Sequence, residues 1–166
     1  MNQALVTRVN RISRVAYVMI AAVVFAGDQA TKALVERSIP MYQIVPIIPH
    51  FLNLTHSKNA GAAFGLFSDS PAQWKTAVLM LISVLLLVTV LAAVLKSRRL
   101  QWETGVALAL ILGGALSNLV DRARYGRVTD FLDFYFRGYH WFTFNLADSA
   151  IVVGAGFLIL QLVFGD

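Results

Sequence analysis

The chain is 166 residues long, 58% of them hydrophobic and 14% charged, with a formal net charge of +5 and no cysteine. Its mean hydropathy of +0.67 lies well above that of an ordinary soluble domain and marks a membrane protein. Without cysteine there is no disulfide, thiolate nucleophile, iron–sulfur cluster or zinc–sulfur site, and the basic residues gather beside apolar segments, where they orient a membrane protein and do not form a nucleic-acid surface.

Four apolar stretches follow one another along the chain, at about 15–36, 76–95, 104–120 and 144–164. Arg8, Arg11 and Arg14 precede VAYVMIAAVVFAG, the charge-then-apolar order of a cleavable signal peptide. The helical pattern continues through ATKALVERSI, however, and no small-x-small site closes it, so we read a retained first span. Residues 38–73 are polar enough to leave the membrane, and Pro40, Pro46, Pro49 and Pro71 keep them from forming one helix. Within them FLNLTH, 51–56, alternates as a short strand does.

Ala77 to Leu95 is uncharged, interrupted only by Ser83 and Thr89, and as a helix it crosses a hydrocarbon core of about 30 Å. Gly105–Val120 and Ser149–Phe164 are shorter and become full spans only if the flanking Asn and Asp residues lie at the membrane boundary. Trp74, Trp141, Phe142 and Phe144 flank the spans at the level of an interfacial aromatic belt. The expected fold is a mainly α membrane protein, one integral domain over residues 1–166. It has four transmembrane helices and a small β-containing extramembrane subdomain between helices 1 and 2.

The positive-inside rule places Arg8, Arg11 and Arg14, and Lys96, Arg98 and Arg99, on the cytoplasmic side. Arg122, Arg124, Arg127 and Arg137 then fall outside, against the rule, offset in part by Asp130 and Asp133. On this topology Asp28 lies about 20 Å along an outward-running span at about 1.5 Å per residue. Asp121 ends the third span and Asp148 begins the fourth, so three aspartates reach one depth near the external face.

Asn118 and Asp121 stand three residues apart, as do Asn145 and Asp148, and that spacing puts each pair on one helix face. If spans three and four pack through Gly113, Gly114, Gly154 and Gly156, the two pairs face each other. Charged groups at membrane depth are functional candidates by default. The plainer reading gives Asp148 a helix N-terminus and pairs Asp121 with Arg122 or Arg124. Two carboxylates sharing a site hold one proton between them, which suits one to activate water and the other to protonate a developing oxyanion. GxSxG, HExxH, Walker and GxGxxG motifs are absent. His50, His56 and His140 are scattered at loop positions, and no metal or other cofactor is implied.

In order, DQATK (28–32), NAGAAF (59–64), GGALSNLVDR (113–122), VTDFLDF (128–134) and FNLADSA (144–150) resemble lipoprotein signal peptidase, the bacterial type II signal peptidase, over nearly the whole chain. The resemblance implies an intramembrane aspartic endopeptidase of the bacterial inner membrane, with its site towards the periplasmic or external face. Such an enzyme cuts diacylglyceryl-modified prolipoproteins on the N-terminal side of the lipidated cysteine. By the family's pattern Asp121 and Asp148 match the catalytic dyad, and Asp28, Asn118, Asn145 and Ala147 match supporting positions. Lys32, Asn59, Gly61 and Arg122 fall in matched motifs. Ser117 departs from the glycine expected before Asn118, and the chain lacks the basic tail common in the family.

Prolipoproteins and membrane lipids are the expected partners of a monomer, with residues 38–73 as a clamp or lid over the peptide. NAGAAF serves either close backbone approach of a ligand or a turn between strand and helix. Two other classes stay open. A metal-dependent membrane phosphotransferase acting on lipid head groups would use Asp121, Asp130 and Asp133 with nearby arginines, and a proton-coupled transporter would use the buried aspartates. Asp130 and Asp133 have no place in the peptidase reading.

Overall fold

The computed structural model describes residues 3–60, 74–96 and 101–164. Helix α1, Gln3–Ser38, runs unbroken because no proline interrupts it, and Pro40 follows its end. Helices α2 (Trp74–Lys96), α3 (Trp102–Tyr125) and α4 (Leu146–Phe164) complete the set. Arg14–Ser38, α3 and α4 are each long and apolar enough to cross a membrane, and α2 contributes the shorter apolar stretch Ala77–Ala92. The mainly α architecture with four apolar helices is thus the one expected. Helix α3 runs one turn beyond the expected limit of 120, which places Asp121 inside the helix and not at its tip.

Helix α3 packs against α1, α2 and α4, and small residues let it do so closely. A Cβ on Gly114 would meet the Ala147 backbone oxygen at 2.4 Å, and one on Gly154 would meet the Ala107 oxygen at 2.6 Å. Gly113 faces α1 instead of α4, 2.5 Å from the Ala21 oxygen in the same construction, and Gly156 faces open space. Only two of the four glycines therefore serve the α3–α4 contact. Gly114→Ala is expected to cost about 1–3 kcal/mol through overpacking against backbone, whereas Gly156→Ala, in open space inside α4, is expected to be neutral or to stabilise by up to about 1 kcal/mol. Thermal unfolding of the two variants in one detergent reads the difference, and equal midpoints would contradict this helix contact.

The extramembrane part is an antiparallel sheet in the order β1-β2-β3-β4. Strands β1 (Ile44–Ile48) and β2 (Leu52–Asn59) lie between α1 and α2, as expected. Strands β3 (Val128–Phe136) and β4 (Tyr139–His140) come from the connection between α3 and α4 and pair onto β2 and β3. The sheet therefore joins both halves of the chain. That partner strand extends β2 to Asn59, three residues past the expected FLNLTH. Pro46 is tolerated because β1 is an edge strand.

Gly126, with φ 68, ends α3 in the left-handed conformation and turns the chain back into β3. Arg137 and Gly138, φ 51 and 83, make the two-residue turn into β4. His56 lies in β2 and His140 in β4, and of the three histidines only His50 is in a loop.

Candidate active site

Three helices and the sheet meet in one hydrogen-bonded cluster of buried polar side chains. Asn145 precedes α4, and its Oδ1 accepts from the Asp148 backbone N–H at 2.9 Å; the Asn145 N–H donates back to Asp148 Oδ2 at 3.3 Å. This is a reciprocal capping box, which explains the Asn-x-x-Asp spacing here and fixes Asp148 in the first turn of α4. Asn118 Nδ2, from α3, donates to Asp148 Oδ1 at 2.8 Å, and Asn145 Nδ2 reaches Asn118 Oδ1 at 3.4 Å. The two asparagines face each other across α3 and α4.

Asp28 is fully buried and bonds to all three helices. Its Oδ1 accepts the Ala147 N–H at 2.8 Å, so it meets one of the unpaired donors at the start of α4. Its Oδ2 accepts Ser117 Oγ at 2.7 Å and pairs with Lys32 Nζ at 2.6 Å. Ser117 thus adds a hydroxyl that holds Asp28, and it also accepts Gln29 Nε2 at 2.9 Å. Lys32 spends its remaining donors on Asp121 Oδ2 at 2.6 Å and Asn118 Oδ1 at 2.9 Å. Asp121 Oδ1 accepts Gln29 Nε2 at 2.7 Å. Asp121 is therefore held on one oxygen by a buried cation and on the other by an amide.

Asp130, on β3, enters the same cluster from the sheet. Its Oδ1 accepts Asn145 Nδ2 at 2.7 Å and its Oδ2 accepts Asn59 Nδ2 at 2.9 Å. Burial first, and then the charge of Asp148, push Asp130 up to about 7, against the opposing pull of the Asn59 and Asn145 amides and of Lys32. Arg122 Nη1 donates to the Asn118 backbone oxygen at 3.5 Å, and its charge lies in the field of Asp148, Asp130 and Asp121. Asp133, three residues further along β3, faces away: it binds Asn53 Nδ2 at 2.9 Å and His140 Nδ1 at 2.9 Å. A cleft of about 660 Å³ opens beside Asp148; Asn59 and Ser149 line it together with Trp141, Phe144, Ile151 and Val152.

Of the residues singled out in the sequence, Asp28, Lys32, Asn59, Asn118, Asp121, Asn145, Ala147 and Asp148 meet in this cluster, and Arg122 borders it. Gly61 and residues 62–73 of the expected clamp lie outside the described residues. Sequence reasoning left Asp130 unplaced and did not weigh Gln29. The signal for Asp130 was in VTDFLDF, because two aspartates three apart on a strand point to opposite faces and only one of them can join the helices.

A family model described as signal peptidase (SPase) II matches residues 20–164. The chain is 44% identical over 144 residues to a lipoprotein signal peptidase of Solibacter usitatus, covering 87% of this chain and 88% of that protein. It is 43% identical over 136 residues to the one of Geobacter sulfurreducens, covering 82% and 84%. Two solved structures of a bacterial membrane enzyme, determined in meso, superpose with TM-scores of 0.80 and 0.79 at 32% identity, covering 89% and 91% of this chain and 87% and 94% of those chains. With its apolar helices gathered around a buried carboxylate cluster, the chain belongs to the signal peptidase II family of multi-pass bacterial membrane proteins.

Proposed function

We propose that the chain removes signal peptides from diacylglyceryl-modified prolipoproteins, cutting on the N-terminal side of the lipidated cysteine, as an aspartic endopeptidase whose reacting pair is Asp148 with Asp130. The carrying observation is that Asp130 lies in the field of Asp148, accepts the Asn145 and Asn59 amides, and is pushed up to about 7. A pair that shares one proton near neutrality can both activate water and protonate an oxyanion. Asp121, the partner expected from the sequence, is held instead as the counter-ion of Lys32, which suits a supporting role.

Asp130 carries the shared proton. Asp148 accepts N–H groups from Asn118 and Asn145 at the positive end of α4 and acts as the base. Water attacks the scissile carbonyl as Asp148 takes its proton and Asp130 donates to the oxyanion; the C–N bond then breaks as Asp148 gives its proton to the leaving amine nitrogen and Asp130 takes one back from a hydroxyl of the diol, which becomes the new carboxyl group. The apolar-walled cleft beside Asp148 accommodates a lipid-bearing peptide whose acyl chains stay in the bilayer. The basic clusters support an inner-membrane topology with this site on the external face, and the enzyme acts as a monomer among lipids. A metal-dependent phosphotransferase is disfavoured because Asp121, Asp130 and Asp133 diverge to Lys32, Asn145 and His140.

The test uses purified protein in nanodiscs with one precursor in two forms, with and without the diacylglyceryl group. Mass spectrometry should find a single cut before the lipidated cysteine, only in the modified form and undiminished by EDTA. Cutting of both forms alike, or loss with EDTA, would overturn the reading.

Asp130 also predicts a pH effect on stability. Its folded value, about 7, lies above the ordinary carboxylate value, so the folded state binds more protons between the two. The corresponding stability is fully present below the ordinary value and is lost as pH rises through about 7. Unfolding midpoints measured across that range should fall in the parent and fall less in Asp130→Asn. Parallel curves would contradict the shift.

A further inference from the structure

The strands that carry Asn59 and Asp130 are tied to the end of α1 by three side chains outside the reacting pair. Glu36 Oε1, near the end of α1, accepts from Lys58 Nζ and from Thr129 Oγ1, and Lys58 Nζ donates to Thr129 Oγ1 at 2.8 Å. Lys58 and Thr129 are direct partners across β2 and β3. Each immediately precedes a residue of the cluster, Asn59 and Asp130. The two-residue period of a strand puts Lys58 and Thr129 on the face towards α1, and Asn59 and Asp130 on the face towards α4. The Asn59–Asp130 hydrogen bond is then a diagonal cross-strand contact.

Register is the vulnerable quantity here. A bulge interrupts the β2–β3 pairing between Leu54 and Ser57, just before Lys58. If the bulge moved by one residue, Asn59 would turn to the wrong face and Asp130 would lose the Asn59 donor. His56, inside the bulge, is held to the same end of α1 through Nδ1 and the Ile39 oxygen at 2.8 Å. Glu36 contacts both members of the Lys58–Thr129 pair, which follows the Ser57–Asp130 pair directly after the bulge, so it reads the register next to Asp130.

We propose that Glu36, Lys58 and Thr129 are positioning residues that lock the β2–β3 register and thereby set the Asn59–Asp130 hydrogen bond for cleavage. This rests on the assignment of Asp130 to the reacting pair. The Glu36 and Lys58 side chains are 38% and 19% exposed, so the pair adds little to global stability. Its effect is geometric, and a displacement on the order of 1 Å at a reacting group lowers a rate by up to about 10²-fold.

Among the described residues, the charged groups whose fields reach Asp130 are Asp148 from α4, Lys32 from α1 and Arg122 from α3. None is altered by changes at the lock. In nanodiscs, Lys58→Met, Glu36→Gln and Thr129→Val should each lower kcat by about tenfold with KM unchanged, within the range for a misplaced group. The pH profile of kcat should also shift upward, because a loosened Asn59 amide no longer favours ionised Asp130. The Glu36→Gln/Lys58→Met double variant should be no slower than the worse single, as for residues acting as one unit.

If the single variants keep parental kcat and pH profile, even with lowered unfolding midpoints, while Asp130→Asn is inactive, the lock is refuted and the reacting pair stands. If Asp130→Asn cleaves at the parental rate, the assignment beneath the lock falls and the lock falls with it.

Discussion

Asp130→Asn and Asp148→Asn are each expected to lower kcat by about 10²–10⁴-fold, the usual size of a lost general acid or base. Both substitutions keep the shape of the side chain, so substrate binding should survive. Asn at 148 still accepts from Asn118 Nδ2, and Asn at 130 still accepts one amide through its own oxygen. The double variant should be no slower than the slower single, because two groups handling one proton act as a unit. Single-turnover cleavage of a lipidated precursor, beside a binding assay with the same precursor, separates chemistry from affinity. A loss of binding with intact chemistry would place these carboxylates in recognition.

The largest expected effect on stability comes from Lys32→Met. Lys32 Nζ lies 2.6 Å from both Asp28 Oδ2 and Asp121 Oδ2, and all three residues are buried. Removing the cation leaves two carboxylates close together without their shared counter-ion, and breaking a buried pair on one side costs about 3–5 kcal/mol. Adding Asp121→Asn to Lys32→Met should recover part of the loss, because it removes one of the two stranded charges. Unfolding of the single and double variants in the same detergent measures this. A neutral Lys32→Met, or a double variant less stable than the single, would contradict the ion-pair account.

Much of this was legible before any coordinates. The uncharged run Ala77–Leu95 and the apolar composition fixed the helical class. The depth argument for Asp28, Asp121 and Asp148 anticipated a common cluster, because rise per residue and topology suffice for that. Sidedness along a strand was harder to read. Asp130 looked like an ordinary loop acid offsetting arginines, since nothing local says that β3 pairs with β2 across some seventy residues of sequence, as the Ser57–Asp130 register does. The surroundings of Asp121 were hidden in the same way: Asn118 and Asp121 share a helix face, but only the packed structure reveals that Lys32 reaches across from α1 to bond both. The glycines divide likewise, since helix period alone does not tell which neighbour Gly113 faces.

The account turns on Asp130, and not Asp121, being the partner of Asp148. The most direct measurement is single-turnover cleavage of one diacylglyceryl precursor by Asp130→Asn and Asp121→Asn side by side in the same nanodiscs, at a temperature where both are folded. The account predicts cleavage slowed by about 10²–10⁴-fold in Asp130→Asn, and near-parental cleavage with an unshifted pH profile in Asp121→Asn, whose loss is chiefly in stability. Cleavage that survives in Asp130→Asn and disappears in folded Asp121→Asn would contradict it.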